Sequence, residues 1–477
     1  MNANPGRAAD PAPPREQVRV VNVGLPLFAE AVRAQGAAAV QVDWRIPAGG
    51  RPDLVAALTR LYGPLAERVD AANREVLRRL DQGAPALVGV ASAAEVVPGM
   101  GGRTLLHCGP PLAWEEFCDP LRRSARATVV AEGWADGAEA AGRLIAAGGV
   151  ELEPANHHAA VVPMATTLGP SAPVFVVDNP QGGNRAFAPV NQGPGATAWF
   201  GVDAPAAVER LVWLREAAAP VLAETLARAG RVELLPIAAQ GLQMGDDLHM
   251  RTQAATNLLL RQLLPDLVAV DSPALGGVAR FLAGNHLFFL NLAMAAAKAL
   301  TDHAAAVPDA SVVVAMARNG TTFGIRLAGE EDWHLAPAPP VGRALYYPGF
   351  GPDSSAPDIG DSAVLELIGL GGPAAAASPA VAAFLGGTVA DAVATTEAMD
   401  RICLGRSARF KLPLLDYRGT PVGVDVRRAV ELALTPSINT GILHAADGTG
   451  QVGAGIAEAP LDCFQQALLA LDARLAR

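Results

Sequence analysis

The order of apolar segments predicts an α/β fold with three parts: an N-terminal Rossmann-like domain over residues 17–125, a complex α+β main domain over 126–202 and 272–477, and a small helical insertion over 203–271. Three observations carry this expectation. A β-α-β pattern opens the chain, strand-like and helix-like segments alternate as far as residue 202, and the spacing then turns helical before apolar runs return.

Residues 1–16 are rich in Pro, Ala and charge and lack the apolar core of a signal peptide, so they read as a disordered lead-in. Val18–Val23, an amphipathic Leu25–Gln35, the stop at Gly36 and Val40–Val42 make the β-α-β unit. Asp43 stands about where a ribose-binding acid lies in a dinucleotide fold, but Gly24 is alone where G-x-G-x-x-G is needed. Helical patterns follow at Pro52–Tyr62 and Pro64–Gln82, then apolar Ala86–Val90 and the glycine-rich loop Val96–Pro111. Val129-Val130, a helix over Gly137–Ala147 and the apolar Val161-Val162 continue the alternation. Between them lies Asn156-His157-His158, two histidines that a strand would point to opposite faces.

After a strand at Val174–Val177 come two polar, glycine-rich loops, Gly182–Phe187 and Asn191–Gly195, of the kind that bring backbone near a ligand or partner. Ala204–Ala229 and Asp246–Leu264 have helical spacing, with Pro220 and Pro265 as punctuation. Met244–His249 offers either metal ligands or a helix start capped by Asp246 or Asp247. In Gly284–Ala299, Asn285, His286, Asn291 and Lys298 interrupt an otherwise apolar helix, and buried polar groups need partners. Val312–Arg326 reads as a buried strand ending at Arg318, Asn319 and Gly320. That end is either an anion site or a hairpin whose arginine pairs with a structural acid. Asp358 and Asp361 follow in a loop, where they orient a histidine, bind a cation or cap a helix near Ser362.

Composition excludes several classes of function. The 37 basic and 47 acidic residues leave a net charge of −10 with no long like-charge block, which argues against nucleic acid and anionic membranes. The longest uncharged run, Leu367–Ala390, is mostly Ala and Gly and is broken by Pro373 and Pro379, so no membrane span is expected. The four cysteines, Cys108, Cys118, Cys403 and Cys463, have no zinc-ligand spacing and read as reduced thiols of a cytoplasmic protein. Gly448, Gly450 and Gly453 match G-x-G-x-x-G in form only, with no β-α-β unit after them, so neither a cofactor nor a metal is expected.

Six stretches together resemble one family. They are Asn22–Pro47, Leu105–Pro120, Gly284–Ala299, Met316–Ile325, Pro357–Ser362, and Ile438–Ala445 with Gly450–Gly455. They resemble the YlbE-like proteins, long catalogued as a domain of unknown function, whose best-described member is the large subunit of bacterial oxamate carbamoyltransferase. The resemblance implies phosphorolysis of oxalurate to oxamate and carbamoyl phosphate in allantoin breakdown. It also implies FdrA-like and other small carbamoyltransferase subunits as partners, and a homo-oligomer is expected. The chain departs from the family pattern at Asn156, Gln192, Met244–Thr252, Leu367, Pro373 and Ala374.

Fitted to that chemistry, Arg318 with the amides near Asn319 and Gly320 holds a phosphate or oxyanion, and Arg326 or Arg185 holds a carboxylate. His286, or else His444, protonates the leaving amide. Asn285, Asn439 and Thr440 orient the ureido group, and Asp358 and Asp361 support a histidine or a cation. Two alternatives stay open: a non-catalytic subunit of such a complex, and an enzyme for a different ureido or amide carboxylate.

Overall fold

The computed structural model describes residues 19–42, 44 and 46–476. The expected lead-in over 1–16 and Asp43 lie outside the described residues.

Helices and several small sheets form a mixed α/β structure. The strands expected to make one Rossmann-like sheet do not share a sheet. Arg19–Val23 and Ala38–Val42, joined by the helix Pro26–Ala34, pair in parallel and form a sheet of two strands among the described residues. Ala86–Ser92 lies instead in an antiparallel sheet with Pro173–Asn179, Asn184–Pro189 and Val232–Glu233. Thr104–His107 pairs with Glu151–Pro154 and Thr167–Leu168. The physical reason is local: Ala86 and Leu87 are fully buried between neighbours from later in the chain, and such tertiary partners outweigh a sequential β-α-β pattern. Val129 and Val130, expected to extend the alternation, belong to the helix Asp119–Ala131.

The largest core wraps the helix Phe288–Ala305, which is buried on nearly every face. Its run of alanines, Ala293 and Ala295–Ala297, lets the strands Pro173–Asn179 and Asn184–Pro189 and the helix Ala66–Gln82 approach closely. A second core gathers Phe323, Ile325, Val424 and Phe464 beneath the C-terminal helix Leu461–Leu475. The helical stretch Pro205–Ala229 contains a π turn over Leu214–Ala218, next to Pro220. Proline has no N–H to give to the preceding turn, and a π turn is one way a helix absorbs that loss.

Two sheets position the functional residues. One is antiparallel, in the order His334–Pro337, Thr322–Leu327, Val313–Asn319, Ile359–Gly360. The other runs Arg343–Tyr346, Gln451–Glu458, Ser437–Leu443. Among the described residues no single helix is long and apolar enough to cross a membrane.

Candidate functional site

The hairpin at Arg318 forms as the strand-end reading allowed. Asn319 Oδ1 accepts from the amides of Thr321 and Thr322 at 3.1 and 2.6 Å, and Gly320 takes a positive φ of 81°. A Cβ at Gly320 would stand 2.5 Å from Cys118 Sγ, so the position has room only for glycine.

Arg318 itself is fully buried. Its Nε donates to Asp358 Oδ2 at 2.8 Å, and Nη1 donates to the Gly360 carbonyl at 2.8 Å and to Ser362 Oγ at 3.2 Å. Thr440 Oγ1 donates to the other oxygen of Asp358 at 2.7 Å. The guanidinium is thus largely spent inside the protein, in the ion pair that was the alternative reading of this stretch. It fixes two hydroxyls, Ser362 and Thr440, rather than presenting itself.

Ser362 and Thr440 line a narrow niche of about 60 Å³, with His249, Met250, Pro163, Met164, Leu287 and Gln451. The niche adjoins a cleft of about 490 Å³ whose walls include the loop Gly193–Ala196, Asn285, His286, Tyr347 and Thr449. Trp199, Phe200, Met250, Leu287, Gln451 and Ala454 belong to both. Met164 in the niche and Leu248 beside His249 hold positive φ angles of 50° and 65°. Strain of this kind in a non-glycine residue is kept where surrounding structure over-determines it, commonly at a functional site.

His249 is the side chain of this niche best equipped for chemistry. Its Nδ1 is 2.7 Å from Oε1 of Glu366, a fully buried carboxylate that also accepts from the Gly372 amide at 3.3 Å. With Nδ1 so engaged, Nε2 is left for whatever fills the niche. Asp247 builds the turn that delivers the ring: Oδ1 accepts from the amides of His249 and Arg251 at 3.2 and 2.7 Å, and Oδ2 accepts from the Met250 amide and Asn439 Nδ2. Asp246 Oδ2 accepts from the Ala255 amide at 2.8 Å in the first turn of the helix Gln253–Leu267, and burial pushes its carboxyl up to about 6. The acidic pair therefore shapes a turn and a helix start. No cluster of three or more His, Cys, Asp or Glu among the described residues is arranged to hold a metal ion.

Two kinds of donor lie at the cleft or beside it: its walls include Gly195 and Ala196, and Arg251 follows the wall residue Met250 in the chain. Gly195 and Ala196 are exposed, and their amides donate to no group among the described residues. The loop is held open by a buried amide ladder, in which Asn285 Nδ2 donates to Asn191 Oδ1 and Asn191 Nδ2 donates to Asn291 Oδ1. Arg251, next to Met250 of the wall and 41% exposed, lies 3.3 Å from Asp246 Oδ1. Its charge, after burial, is what holds His286 below the usual imidazole range.

The structure thus brings Asn285 and His286 to the cleft and Thr440 to the niche, with Arg318 and Asp358 directly behind Thr440 and Asn439 behind His249. The remaining sequence candidates lie elsewhere. Arg185 is exposed and pairs with Asp178. Arg326 lies over the Trp333 ring at 5.0 Å, its pKa lowered by burial. His444 bonds the Ala446 carbonyl in a hairpin loop. Asp361 accepts from the amides of Gly109 and Val162 at 2.8 and 3.0 Å, and burial pushes it up to about 7. Gln192 accepts from the Trp199 amide at 3.0 Å, behind the cleft wall.

Sequence reasoning missed Glu366 and Arg251, and considered His249 only as part of a metal or cap motif. Glu366 did leave a signal, a single acid inside the apolar run Ala363–Leu370.

Comparison with known proteins places the chain in a family. Residues 150–362, which include the niche's His249 and Ser362, match a family described as oxamate carbamoyltransferase subunit AllG. The AllG subunit of Escherichia coli K12 is 40% identical over 409 residues, 84% of this chain and 97% of that protein. The chain belongs to the AllG family. Another relative, the uncharacterized E. coli protein YahG, is 35% identical over 460 residues, covering 95% of this chain and 97% of its own length. A crystal structure of a conserved protein of unknown function from Enterococcus faecalis V583 superposes with a TM-score of 0.84 at 34% identity, over 86% of this chain and 99% of that one. The chain thus shares its fold with the Enterococcus faecalis protein, and one of its relatives carries the name of a carbamoyltransferase subunit.

Proposed function

We propose that this chain carries a carbamoyl-transfer site in the cleft above His249, and that it phosphorolyses oxalurate to oxamate and carbamoyl phosphate. The observation that carries the reading is the buried Glu366–His249 pair, with Nε2 free in a niche rimmed by hydroxyls. A phosphate oxygen attacks the carbamoyl carbon, the bond from that carbon to the oxamate nitrogen breaks, and the proton leaving phosphate reaches that nitrogen. His249 Nε2 takes the first proton and returns it to the leaving nitrogen, while Glu366 holds the ring and stabilises its charged form. Ser362 accepts from Arg318, which leaves its own proton free to meet the developing oxyanion. Arg251, His286 and the Gly195 and Ala196 amides hold the anionic ends of phosphate and substrate. In this reading Arg318 is a positioning residue, and Asn285 sets the Gly193–Ala196 loop through Asn191. A panel of oxalurate and other ureido or amide carboxylates, each incubated with phosphate and resolved by product, tests the substrate. Carbamoyl phosphate and oxamate appearing from oxalurate support it, and turnover confined to another acid moves the assignment to that acid.

The chain also has a surface for a partner subunit. In the Arg19–Val42 unit, Val21, Val23, Leu25, Leu27, Phe28 and Val40, with the nearby Trp44 and Ile46, are each 59–67% exposed. Together they bare apolar area on the order of 800 Å², about what one side of a standard protein–protein interface buries. Parallel strands are otherwise covered on both faces and are marginal as a lone pair. The occupant this favours is a different subunit of α/β type that extends the two-stranded parallel sheet.

A further inference from the structure

A further cavity, of about 680 Å³, shares Pro194 with the cleft, so the Gly193–Ala196 loop borders both. Two helices supply the rest of its lining. Pro205–Trp213 presents Glu209, Arg210 and Trp213, and Leu275–Gly284 presents Arg280 and Phe281 between Gly277 and Gly284. The spacing of each set places it on one face of its helix. The volume lies within the range of pockets that hold small organic ligands.

Three chemistries meet in this lining, all within reach of solvent. The first is cationic. Arg210 lies over the Trp213 and Phe281 rings at 5.9 and 5.5 Å and donates from Nη1 to the Gln192 carbonyl at 3.2 Å, while Arg280 is exposed. Neither guanidinium is paired with a carboxylate among the described residues. The second is aromatic: Trp213 and Phe281 meet edge to face with centroids 5.2 Å apart, and both are partly exposed. Glycines leave room beside them. A Cβ at Gly277 would stand 3.9 Å from Trp213 Cζ2, and one at Gly284 would meet nothing within 4 Å. The third is the exposed carboxylate of Glu209, which accepts hydrogen bonds and cannot face an anion. A bare polyanion would satisfy the arginines and be repelled by Glu209. A ligand with an anionic end, hydroxyl or amine donors and a flat ring uses all three.

We infer that this cavity binds a purine nucleoside phosphate. The fused rings lie against Trp213 and Gly277, the phosphates meet Arg280 and Arg210, and Glu209 accepts from the ribose hydroxyls. Side chains hold the phosphates here, in place of the backbone of a glycine-rich loop, and no sequence fingerprint announces such a site. Arg210 also ties down the residue before the Gly193–Ala196 loop. A phosphate that draws its guanidinium from the Gln192 carbonyl therefore acts on a wall of the His249 cleft. That coupling rests on the role proposed for the cleft; the binding itself does not.

Calorimetric titration of the full chain with ADP and with GDP tests the inference. Saturable binding of at least one is expected, undiminished in His249→Asn, with tripolyphosphate binding at least about 10-fold more weakly. Arg280→Gln is expected to weaken nucleotide binding by about 10-fold, the low end for one charge-assisted hydrogen bond, with an unchanged melting temperature because the side chain is exposed and unpaired. Gly284→Trp is expected to abolish binding by filling the cavity from a position with open space around it. Absence of saturable binding of both nucleotides, or binding that survives Arg280→Gln and Gly284→Trp unchanged, overturns the inference. Tripolyphosphate binding as tightly as the nucleotides overturns the ligand class, and loss of binding in His249→Asn overturns the site by placing the nucleotide in the other cleft.

Discussion

His249 Nδ1 stands 2.7 Å from Oε1 of the buried Glu366, so one edge of the imidazole is fixed by a carboxylate while the other faces the niche. A carboxylate in that position selects the tautomer and stabilises the imidazolium. Glu366→Gln is therefore expected to keep the fold and lower kcat by about 10²-fold or more with little change in KM. Steady-state kinetics on the folded variant checks this, and an unchanged kcat removes Glu366 from the mechanism.

The dyad also depends on a glycine. Gly371 has φ 61° and ψ −122°, and a Cβ there would lie 2.1 Å from Glu366 Oε1 and 3.2 Å from His249 Cβ. Gly371→Ala is expected to cost about 2 kcal/mol or more in denaturant unfolding and to abolish activity, because both the backbone strain and the overlap fall on the pair.

Arg318 and Asp358 form an ion pair with both side chains fully buried. Removing one partner leaves the other charge uncompensated, so Arg318→Met alone is expected to destabilise by about 3–5 kcal/mol, whereas Arg318→Met with Asp358→Leu recovers much of that loss. Urea unfolding of the two single variants and the double variant measures it. A single variant as stable as wild type contradicts the structural role.

His107 gives the pH dependence of stability. Its Nδ1 bonds the Cys108 carbonyl at 2.8 Å, its Nε2 has no partner among the described residues, and burial pushes its pKa down to about 4. A group depressed on folding contributes stability that is fully present above the unfolded value near 6.5 and is lost as pH falls toward the folded value. The loss between those limits is roughly 3 kcal/mol. His107→Asn is expected to flatten the stability profile over that window, as read by unfolding at a series of pH values.

Assembly through the N-terminal unit predicts that Val21→Asp with Phe28→Asp leaves the melting temperature of the chain unchanged but prevents a heteromeric complex from co-eluting in size-exclusion chromatography. An undisturbed complex places the interface elsewhere.

What the sequence revealed, and what it concealed, follows from the range of the interactions involved. The Arg19–Val42 unit, the helix Pro52–Tyr62 and the Arg318 hairpin were readable because periodicity and turn residues act within a few positions. Sheet partnership was not: Ala86–Ser92 joins strands about ninety residues away, and no local pattern encodes that choice. The same holds for the site. Asn285 and His286 stood out as polar residues in apolar surroundings, and Thr440 entered through the chemistry the family resemblance implies. The pairing of His249 with Glu366, 117 positions apart, is a tertiary fact. Arg318 drew attention as a lone charge closing a buried strand, a pattern shared by an anion site and an internal ion pair until Asp358 is placed beside it.

The measurement closest to the central claim is carbamoyl phosphate formation from oxalurate and phosphate by wild type and His249→Asn, each verified as folded and each assembled with the same partner subunits. The account predicts a loss of about 10²- to 10⁴-fold in kcat for His249→Asn, the range for removing a general acid–base. A variant within a few-fold of wild type would contradict it.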